Sequence, residues 1–80
     1  MNQVLVNRYR NALTGIFSSE NADFTLVHYF NGNYYINEPK RLQNGKLYHV
    51  PTNWKIFNEK KFERYIEHYE EQLLSKIEQN

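Results

Sequence analysis

Apolar residues recur at helical spacing at both ends of the chain and at alternating spacing in the middle. In "NQVLVNRYRNALTGIF", Leu5, Tyr9, Ala12, Leu13 and Ile16 fall on one stripe of a helix. Asn2 stands where its side chain can cap the first turn. Ser18, Ser19 and Asn21 break the pattern, so the spacing predicts a helix over about residues 3–17. At the other end, Phe62, Tyr65, Ile66, Tyr69, Leu73 and Ile77 again share a stripe. Asn58 is a good N-cap there, and Phe57 and Phe62 occupy the two positions of a hydrophobic staple. A second helix is therefore expected over residues 59–78. Glu63, Glu67 and Glu71 stand four apart and repel by a few tenths of a kcal/mol each, so packing must hold this helix.

Between the helices, "FTLVHYFNGNYYINEP" reads as a hairpin, with Asn-Gly between two β-rich runs. Two registers compete. A two-residue turn at Asn31-Gly32 pairs Phe30 with Asn33 and His28 with Tyr35. A three-residue loop, Asn31-Gly32-Asn33, pairs Phe30 with Tyr34 and His28 with Ile36. The second gathers Phe24, Leu26, Phe30, Tyr34 and Ile36 on one face and leaves Thr25, Val27, Tyr29, Tyr35 and Asn37 on the other. Burying a large side chain stabilises by roughly 1.5–3 kcal/mol, more than turn preference, and favours the three-residue loop. Pro39 ends the second strand. Asn44-Gly45 is a further turn, leading to a third strand over about residues 46–50, and Trp54 with Ile56 is expected to cap one end of the core. The order is α-β-β-β-α: an α+β fold in which a three-stranded antiparallel sheet packs an N-terminal and a C-terminal helix on one face.

Composition narrows what such a fold can do. Eighty residues (1–80) make one small domain, which buries only about 60–65% of its unfolded surface and needs a core of few, bulky side chains. Aromatic residues at 16% supply them. With no Cys, disulfides, thiolate metal sites and thiol redox chemistry are excluded. No apolar run approaches the ~18 residues of a membrane span, and the opening "MNQVLVNRYRNAL" lacks a signal peptide's order, so a cytoplasmic protein is expected. Net charge is +1, divided into +3 over residues 1–58 and −2 over 59–80. Neither part is a polybasic stripe or an acidic nucleic-acid mimic. Asn, Lys, Tyr, Ile and Phe, whose codons are rich in A and T, are plentiful; a low-GC genome, or a phage or mobile element within one, is the expected source.

No HExxH, DxDxDG, GxxxxGK[ST] or GxSxG pattern occurs. His28 and His49 lie on expected strands and His68 on an exposed helix flank; none has the neighbours that a metal site or acid–base pair requires. The chain is accordingly read as non-enzymatic, with no catalytic residue, metal or cofactor. Tyr29, Tyr35 and Tyr48 are expected to project from the sheet face away from the helices, with Lys46, Lys40 and Arg41 at its rim. Tyr beside Arg is the composition of interface hot spots. The expected function is docking on a macromolecular partner, foremost a protein, and blocking it, as a phage or mobile-element inhibitor of a host defence or DNA-processing protein would. The same face could bury in a homodimer instead of serving a monomer.

Lys60, Lys61 and Arg64, in "NEKKFER", cluster on the first turns of the last helix. With the α-β-β-β-α order this resembles the double-stranded RNA-binding domain, which sets the start of its second helix on phosphates across the RNA groove. The resemblance implies, as the alternative function, nucleic-acid binding through Lys40, Arg41, Lys60, Lys61 and Arg64. It covers most of the chain in element order and almost none in residues. The family's small, Ala-rich second helix is replaced here by Phe62, Tyr65, Ile66 and Tyr69, and its Gly-Pro-x-His loop by Asn-Gly-Asn.

Overall fold

The computed structural model describes residues 1–78. Helix α1 (Gln3–Ile16) is followed by a short helix α2 (Ser19–Phe24). Strands β1 (Leu26–Phe30) and β2 (Asn33–Asn37) form a hairpin, and β3 (Lys40–Arg41) and β4 (Leu47–Tyr48) a small ribbon. Strand β5 (Lys55–Asn58) runs directly into helix α3 (Glu59–Glu78). The main sheet has the order β1-β2-β5, antiparallel throughout. The fold is thus the expected α+β arrangement: three antiparallel strands between an N-terminal and a C-terminal helix.

Local chemistry explains most boundaries. The Asn2 side chain accepts from the N–H groups of Val4 and Leu5 and opens α1. Ser18, in extended conformation, ends that helix and caps the next, its Oγ accepting from Asn21 N–H at 3.0 Å. The three residues expected to break the helix therefore also start α2, which sequence reading did not separate. Arg10 closes α2 from α1, donating to the carbonyls of Ala22 and Thr25 at 2.6 and 3.2 Å. At α3, Asn58 Oδ1 accepts from Lys61 N–H at 2.9 Å, and Phe57 stacks on Phe62 with ring centroids 6.2 Å apart. Cap and staple stand as read.

The hairpin takes the two-residue turn, not the three-residue loop. Asn31 has φ 53° and Gly32 φ 82°, the paired left-handed conformation whose twist matches the flanking strands. His28 lies opposite Tyr35, Val27 opposite Ile36 and Phe30 opposite Asn33. Val27, Tyr29, Tyr34, Ile36 and, from β5, Phe57 therefore face the helices, while Leu26, His28, Phe30 and Tyr35 face away. Burial was the right criterion applied to a wrong premise, for both faces are apolar and only one is covered.

The third strand is corrected as well. Residues 46–50 do not join the main sheet; Leu47 and Tyr48 pair with Arg41 and Lys40 across the Asn44-Gly45 turn. Gly45, at φ 91°, makes that turn local, with Leu42 N–H donating to Lys46 O at 2.9 Å. The strand beside β2 is instead "KIFN", which alternates about Phe57 and places Trp54 and Ile56 at the uncovered surface, not at an end of the core.

The core is one cluster: Leu5, Val6, Tyr9 and Leu13 from α1, Tyr34 and Ile36 from β2, Phe62 and Ile66 from α3, with Ala22. Tyr34 stacks on Phe62 at 4.5 Å between ring centroids. Its hydroxyl accepts from Asn2 N–H and donates to Glu59 Oε1, both at 2.9 Å, so one buried phenol fixes the starts of both long helices. Alongside, Arg8 grips Glu70 through two bonds of 3.1 and 2.6 Å. Lys76 donates to the Gly15 and Ile16 carbonyls at the end of α1. Leu74 and Ile77, on either side of this contact along α3, are exposed.

Gly15 lets the helices close. A Cβ there would stand 2.7 Å from Leu73 Cδ1, a flexible tip that can rotate away. Gly15→Ala is expected within about 1 kcal/mol of the parent, since the clash offsets the gain in helix propensity. Gly15→Val has no such escape and is expected to cost about 1–3 kcal/mol. Thermal melts of the pair check this; equal melting temperatures would show that the helices do not depend on that approach.

Candidate functional site

Two arrangements stand out: the uncovered face of the sheet and a polar knot on the covered side. The uncovered face follows from alternation along three strands. Leu26, His28 and Phe30 of β1, Tyr35 of β2 and Ile56 of β5 project together, and Trp54 leans onto them with its ring 5.6 Å from that of His28. Phe30 is 70% exposed, Ile56 59%, Trp54 38% and Leu26 36%. His28, Tyr35 and Trp54 line a shallow cleft of about 330 Å³. Among the described residues no protein group hydrogen-bonds to their polar tips, whereas buried aromatic polar groups generally find partners. Rings with apolar bodies and free polar tips suit recognition of a surface, since they add contact area at small entropic cost.

At one end the face is closed by its own chain. Asn37, buried on the same side of β2, donates through Nδ2 to Val50 O at 3.0 Å. His49 reaches the carbonyl of Phe24. The segment between β4 and β5 therefore crosses the Asn37 end and delivers Trp54 to the cleft.

The tyrosines named from sequence do not share this face. Tyr35 is on it. Tyr29 projects toward the helix side, edge-on to Tyr34 at 4.9 Å. Tyr48 lies on the β3–β4 ribbon opposite Lys40. Lys46 follows the ribbon's turn, its N–H bonded to Asn44 Oδ1. Arg41 donates to Gly45 O at 2.5 Å and borders a different cleft with Phe17 and Pro39. Register displaces Tyr29, since the two-residue turn moves every β1 side chain to the face opposite the one expected; the separate β3–β4 ribbon displaces Tyr48, Lys46 and Arg41. Trp54, Ile56 and Phe30 were missed as site residues because they read as core. The signal that could have found them is the Asn-Gly turn itself, taken at its usual length.

Lys60, Lys61 and Arg64 are exposed on the first turns of α3, and Lys40 and Arg41 are exposed on the ribbon. Among the described residues no side-chain partner holds Lys60, Lys61, Arg64 or Lys40. The histidines do not gather: His28 packs on Trp54, His49 on the Phe24 carbonyl, and His68 beside Gln72 on α3.

The polar knot is built around Glu38, which follows β2 and whose side chain is 17% exposed. Tyr9 from α1 donates to its Oε2 at 2.5 Å. Tyr65 from α3 donates to the same carboxylate at 2.9 Å, and Tyr69 lies at 3.1–3.2 Å from both oxygens. Lys55 of β5 donates to Tyr65 Oη at 3.0 Å and reaches Glu38 Oε1 at 3.4 Å. Burial raises the pKa of all three phenols, reinforced by the negative charge of Glu38. Tyr69 is pushed up to about 12. These phenols are held protonated as donors, which makes them poor general bases, and the knot ties α1, α3 and β5 to the residue after β2.

No family model, curated protein or solved structure matches the chain. Among the described residues no helix is long and apolar enough to cross a membrane.

Proposed function

We propose that this chain is a non-enzymatic binding module that docks on a protein partner through the uncovered face of its sheet and blocks the surface it covers. The observation that carries the reading is the set of Phe30, Trp54 and Ile56 exposed together on one sheet face around an aromatic cleft that half-buried Tyr35 lines. Contiguous apolar surface of this kind marks interaction sites on proteins that otherwise keep such groups inside. In this reading the protein acts in the cytoplasm, and the low-GC composition suits a phage or mobile-element inhibitor of a host defence or DNA-processing protein. Tyr35 is kept from the residues named on sequence, while Trp54, Ile56, Phe30 and His28 replace Tyr29, Tyr48, Lys46 and Arg41.

Capture from a host lysate by the tagged chain tests the reading. Tyr35→Ala/Trp54→Ala is expected to lose roughly tenfold or more of partner affinity while remaining folded, as hot-spot truncations do. Tyr48→Ala, on the ribbon, is expected to capture normally. Undiminished capture by the double variant would overturn the proposal.

Nucleic-acid binding is the second reading, favoured by the exposed, unpartnered Lys60, Lys61 and Arg64. It predicts affinity for RNA or DNA that falls steeply with salt and drops when these three are replaced by Gln. No binding at low salt rejects it.

A further inference from the structure

The same face raises the question of what covers it before a partner arrives. It carries none of the chain's 19 Lys, Arg, Asp and Glu residues: Leu26, Phe30, Trp54 and Ile56 give it apolar bulk, with His28 and Tyr35 between them. A face without charge meets its own copy without like-charge repulsion, the term that most often forbids self-association. The outer surface of α3 is the opposite case, with Glu63, Glu67 and Glu71 spaced along it.

Size points the same way. Large apolar side chains present roughly 150–250 Å² each when free, so the exposed fractions of Phe30, Ile56, Trp54 and Leu26 amount to about 400 Å² per copy. Two copies would bury about 800 Å² of apolar area. With the apolar share of homodimer interfaces near 65%, the whole contact is about 1,200 Å², at the lower end of stable, specific interfaces.

Shape also permits it. The molecule measures 39 × 30 × 16 Å, a thin plate with helices on one side only, and bare sheets stack about 10 Å apart. A two-fold axis along β2 lays the β1 side of one copy over the β5 side of the other, bringing Ile56 over His28, which are level across Tyr35, and Phe30 over the Asn58 end of β5 in both halves.

We propose that the free protein is a homodimer, sheet against sheet, with helices outermost. The proposal rests on the reading of this face as a docking surface; a heterologous partner then gains the face by exchange with the second copy.

Sedimentation equilibrium over a wide concentration range is the test. The parent chain is expected at twice its 9.8 kDa mass. Ile56→Glu and, on the other edge strand, Phe30→Asp are each expected to sediment as monomers with parental circular dichroism. Leu74→Glu, exposed on α3, is expected to remain dimeric. Either edge variant suffices should the other fail to fold. A parent chain that is monomeric throughout, or that gains mass only with lysate protein or nucleic acid, overturns the dimer and leaves the docking face to be judged by lysate capture. A dimer that survives both edge variants, or that Leu74→Glu splits, also overturns it.

Discussion

Glu38→Ala is expected to lower stability by about 3–5 kcal/mol, the cost of leaving buried donors around a vanished charge. Domains of this size are stable by only about 4–12 kcal/mol in total, so the variant should sit near the edge of unfolding in water. The loss has a named origin. Tyr9 is fully buried, and its hydroxyl has no acceptor besides Glu38. Tyr65 and Tyr69 lose the same acceptor, and Lys55 loses its ion pair with Glu38. Glu38→Gln keeps one carbonyl oxygen and should cost roughly half as much, since hydrogen bonds to charged groups are about twice as strong as neutral ones. A double-mutant cycle isolates the knot. Tyr9→Phe removes the orphaned donor, so Glu38→Ala/Tyr9→Phe should be more stable than the two single losses predict, by about 1–2 kcal/mol. Urea denaturation of the four proteins checks this. A Glu38→Ala loss below about 1 kcal/mol would show that solvent satisfies the phenols and that the knot is ornamental to stability.

The knot was not legible in the sequence, while α1, β2 and α3, three of the four elements it joins, were. Both long helices follow from period and caps: Asn2, Asn58 and the Phe57–Phe62 staple are local signals, and local signals are what a sequence displays. The hairpin was legible as a hairpin, but its register turned on a global fact, the number of apolar faces. A sheet sealed on one side ordinarily alternates apolar with polar residues. Here β1 carries Val27 and Tyr29 inward and Leu26 and Phe30 outward, so period-two reasoning had two consistent answers and selected the one without an exposed apolar surface. The identity of the third strand was a competition between residues 46–50 and 55–58 for the edge of β2. Asn44-Gly45 decides it by closing its own ribbon and removing the first contender. Glu38 was hidden for a different reason. It stands one residue before Pro39 in what reads as a connector, and its partners come from positions up to 31 residues away. One indirect signal existed: three tyrosines on the buried stripes of two helices need an acceptor for their hydroxyls, and few carboxylates lie outside α3.

Those tyrosines also set the upper limit of pH at which the fold persists. Stability is expected to be level up to about pH 10 and then to fall, with alkaline unfolding well under way by about pH 12. In the unfolded chain a phenol ionises near 10. In the fold, burial first, with the charge of Glu38 adding to it, holds Tyr9 and Tyr65 far above that value and Tyr69 up to about 12. Tyr34 shifts in the same direction, chiefly through burial. A raised value means that the folded state keeps a proton which the unfolded state has lost. Stability from such a group is fully present below pH 10 and disappears as pH climbs through the folded value. Each fully buried phenol of this kind removes about 1.4 kcal/mol per pH unit above 10. Tyr9 should follow that slope in full; Tyr65 and Tyr69, only half-buried, should contribute a solvent-screened fraction of it. Circular dichroism and phenolate absorbance, followed together across the alkaline range, check the linkage: the last phenols should ionise only as helicity disappears. Tyr9→Phe should flatten the fall in stability, although the variant starts from a less stable fold. All seven tyrosines ionising near pH 10 with the helices intact would mean that water reaches the hydroxyls around Glu38, and that the buried seam joining α1, β2, β5 and α3 is not closed.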